Sequence, residues 1–428
     1  MKTVAFHTLG CKVNQYDSEA MLELFEQNGY APGKFNEKCD VYVINTCTVT
    51  GTGDKKSLQA VRRAQRLNPD ASVIICGCLA QRDGEKLLQE TGATVVIGNA
   101  RRNEVVELLH RAQAEHTPIC AVTDVTRADY EPLFITRHEG KTRAVLKIQE
   151  GCDRFCAYCI IPYVRGGIRS RAVEDVVKEA ACLAEAGYRE VVLTGIHLTS
   201  YGRDLKNGHT LLTVIEALHE IKGIERIRLG SLEPVIANEE FACALSKLPK
   251  VCPQFHLALQ SGCDSVLKRM RRRYDTAAYR ESVHALRKYF PDCALTTDVL
   301  CGFPGETKEE HAQTVEFCRE MGFARMHVFP YSEREGTLAA TMPGAVPRHV
   351  REDRARELIR LGEEMADSYR RSQLGSVRSV LFETEKDGVS FGYTMEYMHC
   401  AATGNLIGRT VDVKITGLSE EGFIGEIC

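Results

Sequence analysis

Neither charge nor hydrophobicity is concentrated in this chain. Its 55 Lys and Arg face 58 Asp and Glu, a formal net of −3, so affinity for nucleic acid cannot be read from bulk charge and would have to come from local patches. No stretch approaches the roughly 18 consecutive apolar residues of a membrane-spanning helix. Residues 1–9 hold a short apolar run, too brief for a secretory signal and without a cleavage site. There is no internal repeat and no low-complexity tract. The expectation is a soluble, cytoplasmic, monomeric protein without a membrane partner. At 428 residues the chain exceeds one ordinary core, which implies two or three domains. Cysteine is abundant: 18 residues without the spacing of a disulfide framework. In an intracellular protein that pattern points to metal ligation or reduced thiols.

Three patterns succeed one another. Over residues 1–115, apolar strands at 4–9, 41–46, 72–76 and 94–98 alternate with helical stretches at 17–27, 54–67 and 83–90. That implies a parallel, doubly wound α/β domain. Residues 116–140 are mixed and polar, with Pro118 and Pro132, and read as a linker. A second alternating set runs from 144 to about 329, within a domain placed at 141–373, with strands at 144–149, 190–194, 226–230, 255–259, 294–300 and 325–329. Val176, Val177, Ala180, Leu183 and Ala184 give the helix before its second strand an apolar stripe, and Gly187 ends it. Six parallel strands, each followed by a helix, suggest a partial (β/α)6 TIM barrel, whose chemistry sits beyond the C-terminal strand ends. A long charged helix spans 348–373. Residues 374–428 show strand patterns at 377–384, 410–415 and 423–427, parted by turn residues, as in a small antiparallel β-domain.

Two sets of cysteines occupy strand ends. Cys152, Cys156 and Cys159 form a C-x3-C-x2-C loop directly after the first strand of the second domain. Three thiolates on one tight loop can hold three irons of a [4Fe–4S] cluster and leave the fourth open to the amino and carboxylate groups of S-adenosylmethionine (SAM). The competing readings are a zinc site or three buried free thiols. Zinc would want a fourth protein ligand close by, and residues 160–171 contain no His or Cys. Cys11, Cys47 and Cys78 each follow a successive strand of the first domain, at the edge where ligands gather in doubly wound sheets. They could hold a second cluster or be three unconnected thiols, since free cysteine is among the most buried residue types. Cys76 should lie within its strand and face the core.

The C-x3-C-x2-C loop, with Tyr158 just before its last cysteine, resembles that of the radical SAM superfamily. Further motifs are Gly10-Cys11, Asn45-Thr46-Cys47, Gly77-Cys78, Arg165-Gly166, Arg169-Ser170-Arg171, Leu193-Thr194-Gly195 and the stretches 257–262 and 302–307. With them, nearly the whole chain resembles the methylthiotransferases, radical SAM enzymes that add a methylthio group to tRNA or to a ribosomal protein. The resemblance implies two [4Fe–4S] clusters, with Cys152, Cys156, Cys159, Cys11, Cys47 and Cys78 as metal ligands and catalytic residues. It implies two SAM per turnover. One would methylate a sulfur on the auxiliary cluster; the other would be cleaved to a radical that takes hydrogen from adenine C2. It also implies that the last domain is a TRAM-like RNA-binding domain. Lys12-Val13-Asn14-Gln15 resembles the subgroup acting on N6-threonylcarbamoyladenosine at tRNA position 37. Isopentenyladenosine enzymes usually carry Gln-Met-Asn there, and the ribosomal-protein enzymes Pro-Lys-Asn. The implied partners are a tRNA anticodon stem-loop carrying modified adenosine 37, an electron donor such as flavodoxin or ferredoxin, and a sulfur source. The alternatives are isopentenyladenosine tRNA or a ribosomal-protein aspartate as substrate and, from a different class, an iron–sulfur carrier that cleaves no SAM.

Polar groups at barrel strand ends usually serve ligands. SAM contacts are therefore expected from Tyr158, Thr194, Gly195, Ser231, Glu233, Gln260 and Asp298. The stretch beginning at Gly302 is expected to be a SAM-adenine loop, where glycine permits close backbone approach. Arg165, Arg169 and Arg171, together with Arg271, Arg272 and Arg273 of the densest basic run, are expected to reach RNA phosphates. The last domain departs from a strongly basic RNA binder: from residue 375 it holds four basic residues against eight acidic ones, a net of −4. Its grip would rest on shape and base stacking through Phe391, Tyr393 or Tyr397, unless these rings are core.

Overall fold

The apolar runs of the first domain pair side by side. In the computed structural model, which describes residues 1–126, 128–136, 142–420 and 422–428, six strands form one parallel sheet. They are β1 (Thr3–Thr8), β2 (Ala31–Pro32), β3 (Val41–Thr46), β4 (Ser72–Gly77), β5 (Val95–Ile97) and β6 (Ile119–Ala121), in the order β2-β1-β3-β4-β5-β6. Between them run α1 (Lys12–Gln27), α2 (Gly51–Leu67), α3 (Cys78–Thr91) and α4 (Val105–Glu115). α1 and α4 bury Met21, Phe25, Val105 and Leu109 on one face of the sheet. α2 and α3 bury Val61, Ala64, Leu79 and Leu87 on the other. Strands covered on both faces read as continuous apolar runs, and every residue of β3 is buried. The strand order reverses between β1 and β3, a topological switch point. Residues 119–121 of the expected linker belong to the sheet as its sixth strand, paired with β5; its residues 127 and 137–140, and residue 141, lie outside the described residues.

The second domain contains β7 (Arg143–Glu150), β8 (Arg169–Ser170), β9 (Glu190–Gly195), β10 (Arg226–Leu229), β11 (Gln254–His256), β12 (Ala294–Cys301) and β13 (Arg325–Pro330). The two-residue β8 is antiparallel to β7. The other six are parallel in chain order, with the halves β7-β9-β10 and β11-β12-β13 joined by the bridges Ile227–Val251 and Leu232–Leu257. This is the open partial barrel. Its helices are α5 (Ile161–Arg165), α6 (Val173–Glu185), α7 (Leu211–His219), α8 (Glu239–Ser246), α9 (Asp264–Arg269), α10 (Thr276–Tyr289), α11 (Lys308–Met321) and α12 (Arg348–Ser372). Leu146, Leu193, Ile227, Phe255 and Leu295 share one core with Leu358 and Leu361 of α12.

The last domain is a closed five-stranded barrel of β14 (Val377–Lys386), β15 (Val389–Thr394), β16 (His399–Thr403), β17 (Thr410–Leu418) and β18 (Phe423–Ile427), in the order β14-β15-β16-β18-β17. Its pairings are antiparallel except β16–β18, which is parallel. β15 and β16 were not expected. Gly392 sits inside β15, where glycine usually weakens a strand, because a side chain there would meet the Leu381 carbonyl oxygen at 2.1 Å.

Two arginines in a buried strand fasten this barrel to the second domain. Arg226 and Arg228 of β10 are each 1% exposed. Arg228 donates to Glu190 at 2.6 Å and to the Met395 carbonyl at 2.8 Å. Arg226 donates to the Tyr393 carbonyl at 2.9 Å and to Ser379 Oγ at 3.1 Å. Arg228→Met would leave the Glu190 carboxylate buried with only Arg226, 3.8 Å away. Removing one partner of a buried pair costs about 3–5 kcal/mol. Urea unfolding of Arg228→Met is expected to show a loss of that order, and adding Glu190→Gln is expected to recover part of it; a variant as stable as the parent would contradict the assignment.

Candidate active site at the domain junction

Strand ends position the first trio. Cys11 caps α1 after β1, Cys47 follows β3, and Cys78 opens α3 after β4, so the three stand on neighbouring strands around the switch point. Gly10 has φ 102°, and a side chain there would meet Cys47 Cβ at 2.9 Å and Sγ at 3.1 Å. The turn before Cys11 therefore lies directly against Cys47. Gly77, with φ 93°, lies where a side chain would meet Asn45 Oδ1 at 2.5 Å. Amides lock these turns together. Asn14 Nδ2 donates to the carbonyls of Leu9 (2.7 Å) and Thr46 (3.0 Å), and Asn45 Nδ2 to the carbonyl of Asn14 (2.9 Å). Burial pushes the Cys47 thiol up to about 11, with the nearby Cys78 and Cys11 thiolates adding to the rise. Burial also raises Cys78. Cys76 is fully buried within β4.

Backbone contacts position the second trio. The Cys152 N–H donates to the Gly166 carbonyl, and the Ala157 N–H to the Met270 carbonyl, both at 2.9 Å. Cys156 Sγ accepts from Arg272 Nη1 at 3.2 Å. Arg272 also lies 3.4 Å from Glu233, which meets Arg154 at 2.8 Å and His197 at 3.4 Å. Burial pushes Cys152 up to about 11 and Cys159 up to about 12. Burial alone would raise Glu233, but His197, Arg272 and Arg154 hold it below the usual carboxylate range.

The short helix α5 carries the chain from one trio to the other. Ile160, next to Cys159, packs with Val164 against Cys78. Arg165 is fully buried. It donates from Nε to Cys78 Sγ at 3.2 Å, from Nη1 to the two Glu150 oxygens at 2.8 and 2.9 Å, and from Nη2 to Asn14 Oδ1. Lys147 pairs with Asp17 and Glu150, both at 2.7 Å. Arg102 pairs with Asp17 and, at 2.8 Å, with Glu131. Asn99 Nδ2 lies 3.7 Å from Cys78 Sγ. Guanidinium and amide donors aimed at sulfur suit a ligating thiolate better than a neutral thiol. Among the described residues, no three His, Cys, Asp or Glu side chains converge as the ligands of one metal ion. A four-iron cluster takes each cysteine thiolate on a different iron. Each trio supplies three free thiols, the donor type that such a cluster takes.

A cavity of about 440 Å³ opens between the domains, lined by Cys11, Lys12 and Val13 of the first, by Ile161, Thr194, Gly195 and Ser231 of the second, and by Tyr397 of the third. Three of the expected SAM contacts thus line one chamber with Cys11. Asp298 meets His256, another lining residue, at 3.3 Å. Tyr158 and Glu233 lie beside Arg272 and the second trio. Gln260, with φ 66°, uses its backbone to bond Asp298 and Leu300, both at 2.8 Å. Gly302, with φ 71°, lies where a side chain would meet Arg351 of α12 at 2.2 Å.

The expected RNA arginines need correction. Arg165, Arg169 and Arg171 are 0%, 6% and 5% exposed and face Glu150, the Val125 carbonyl and Glu179. Buried carboxylates and carbonyls draw them inward, away from any phosphate. Arg272 turns inward as well, to Cys156 and Glu233, while Arg271 and Arg273 are exposed. Phe391, Tyr393 and Tyr397 are half-buried. Tyr393 and Tyr397 stack at 4.9 Å with the Arg143 guanidinium over both rings. The sequence reading missed Asp17, Arg102, Lys147 and Glu150. The available signal was a lysine and a glutamate inside the apolar run of β7, since buried charges are kept only when paired.

Residues 3–98 match the family described as Uncharacterized protein family UPF0004, and residues 146–318 match the Radical SAM superfamily. The chain is 42% identical to the threonylcarbamoyladenosine tRNA methylthiotransferase MtaB of Bacillus subtilis, over 97% of this chain and 94% of that one. It belongs to the radical SAM methylthiotransferase family. The MtaB of Thermotoga maritima is 34% identical, over 99% and 96% of the two chains. A Moorella thermoacetica relative named tRNA-2-methylthio-N(6)-dimethylallyladenosine synthase is also 34% identical, over 97% and 96%. In fold, this methylthiotransferase resembles the radical SAM methyltransferase TsrM of Kitasatospora setae, with a TM-score of 0.57 and 16% identity over 79% of this chain and 77% of that one. Membership of the family brings a [4Fe–4S] cluster and SAM as cofactors. No helix among the described residues is long and apolar enough to cross a membrane. Arg165→Met is expected to lower stability by about 3 kcal/mol, because it breaks a buried ion pair. Arg165→Lys is expected to restore little, since one ammonium cannot serve Glu150, Asn14 and Cys78 at once. Urea denaturation of the purified proteins checks both.

Proposed function

We propose that this methylthiotransferase converts N6-threonylcarbamoyladenosine at tRNA position 37 to its 2-methylthio derivative, replacing C–H by C–SCH3 at adenine C2. The observation that carries the reading is the meeting of two thiol trios from different domains, where Cys78 of one packs on Ile160, the neighbour of Cys159 in the other. The names of the relatives support the choice of substrate. In this reading Cys11, Cys47 and Cys78 hold one [4Fe–4S] cluster, and Cys152, Cys156 and Cys159 hold the other. Bound there with SAM, two per turnover, these cofactors supply the hydrogen abstraction and the methylthio group that an unactivated C–H requires.

The side chains supply position and exclusion of water. Arg165 and Asn99 hold the Cys78 sulfur, and Arg272 holds that of Cys156. Thr194, Gly195 and Ser231 offer strand-end polar contacts to SAM, while Val13, Val49, Ile161 and Leu229 make the apolar part of the wall. Arg271 and Arg273, exposed beside the cluster loop, face RNA phosphates. An electron donor of flavodoxin or ferredoxin type and a sulfur source complete the system, and the enzyme acts as a monomer.

Two measurements test the proposal. Anaerobic iron and sulfide analysis is expected to give about eight irons for the parent and about four for Cys11→Ala or Cys152→Ala, as two four-iron clusters require. Four in the parent would remove the second cluster. Mass spectrometry of tRNA nucleosides from a strain lacking the gene is expected to show threonylcarbamoyladenosine without its methylthio form. An unchanged profile of that nucleoside would reject the substrate.

A further inference from the structure

The chamber beside Cys11 is lined by charge mostly of one sign. Its lining includes the cations Lys12 and Arg325 and the imidazoles of His256 and His327, and the carboxylate beside it, Asp298, is taken by His256 at 3.3 Å. The neighbouring arginines are satisfied: Arg143 pairs with Glu383 and Arg228 with Glu190, both at 2.6 Å. Neither Lys12 nor Arg325 has an ion-pair partner among the described residues. Lys12 also occupies the first position of the 16-residue α1, where the helix dipole disfavours a cation. Lys12 is exposed, with Glu190 and Tyr397 as the groups of the fold that favour its charge, and an anion in the chamber would give it a direct partner.

We infer that Lys12 receives the carboxylate of the threonylcarbamoyl group and thereby selects it over an apolar substituent; the inference rests on the substrate proposed above. The threonylcarbamoyl group carries a free carboxylate on N6, whereas a dimethylallyl group is a hydrocarbon. In the purine ring only N1 separates C2 from C6. A base that presents C2 to the chamber therefore keeps its N6 substituent nearby, within reach of the residue that follows Cys11. An ammonium–carboxylate hydrogen bond is about twice as strong as a neutral one. A hydrocarbon in the same place would leave Lys12 desolvated and unpaired.

The SAM carboxylate and an RNA phosphate offer the same chemistry, so the test separates them. Anticodon stem-loops whose adenosine 37 is unmodified, threonylcarbamoylated, or threonylcarbamoylated with the carboxylate as its methyl ester, together with a dimethylallyl form, are bound to the holoenzyme without reductant and followed by fluorescence anisotropy. The parent is expected to bind the free acid about tenfold or more tighter than the ester. Lys12→Met is expected to abolish that preference, with affinity for SAM and for the unmodified loop unchanged, and Lys12→Arg is expected to keep it. A parent that does not distinguish acid from ester overturns the inference, as does a Lys12→Met variant that still prefers the acid. Equal weakening of the unmodified loop would assign Lys12 to a phosphate, and weakened SAM binding would assign it to the SAM carboxylate; either also overturns it. A parent that prefers the dimethylallyl loop rejects the substrate reading itself, whereas acid preference that survives in Lys12→Met rejects only the role of Lys12.

Discussion

One guanidinium joins the two halves of this enzyme. Arg165 leaves the barrel domain six residues after Cys159 and, inside the neighbouring sheet domain, meets Asn14 and Cys78. Its charge is held on its own side by Glu150 and, across the junction, by a lattice in which Asp17, Glu131 and Glu150 balance Arg102, Lys147 and Arg165. Buried ion pairs contribute little net stability, because desolvation offsets their attraction. What this lattice provides is register. Apolar residues could glue the domains together, but they would not direct a donor to the Cys78 sulfur or set one cysteine trio against the other.

The last domain is tied in by the same device used differently. Arg226 and Arg228 reach out of a buried strand to carbonyls of β15 and its following turn. The domain's net −4 does not describe an electrostatic clamp. Its contribution to the chamber is Tyr397, held at φ 67°, a left-handed conformation that costs a non-glycine residue energy and that persists here on the wall of the site. Backbone strain of this kind collects where function requires a side chain to be aimed.

Much of this was legible in the sequence, for physical reasons. Strands buried on both faces leave continuous apolar runs, as in β3, β7 and β9, and apolar runs located β1, β4 and the remaining barrel strands as well, and with them the cysteines that follow their ends. The C-x3-C-x2-C loop is local and declared its chemistry directly. What escaped was whatever depends on a partner distant in the chain. Arg165, Arg169 and Arg171 look like surface charges until Glu150 and Glu179 are seen facing them. Lys147 and Glu150 inside an apolar run were the clue to internal pairing. The close approach of Arg351 to Gly302, 49 positions earlier, was likewise invisible. β15 was hidden by Gly392, and β6 by its short length inside a polar stretch.

The central claim is that the two sulfur trios are neighbours at the domain junction, tied together through α5 and Arg165. Electron paramagnetic resonance of the reduced holoenzyme tests it most directly. If the two metal centres are neighbours, their spins interact, and the parent spectrum will differ from the sum of the spectra of Cys11→Ala and Cys152→Ala, each carrying a single centre. A parent spectrum equal to that sum would mean that the centres are magnetically isolated, and would contradict the account.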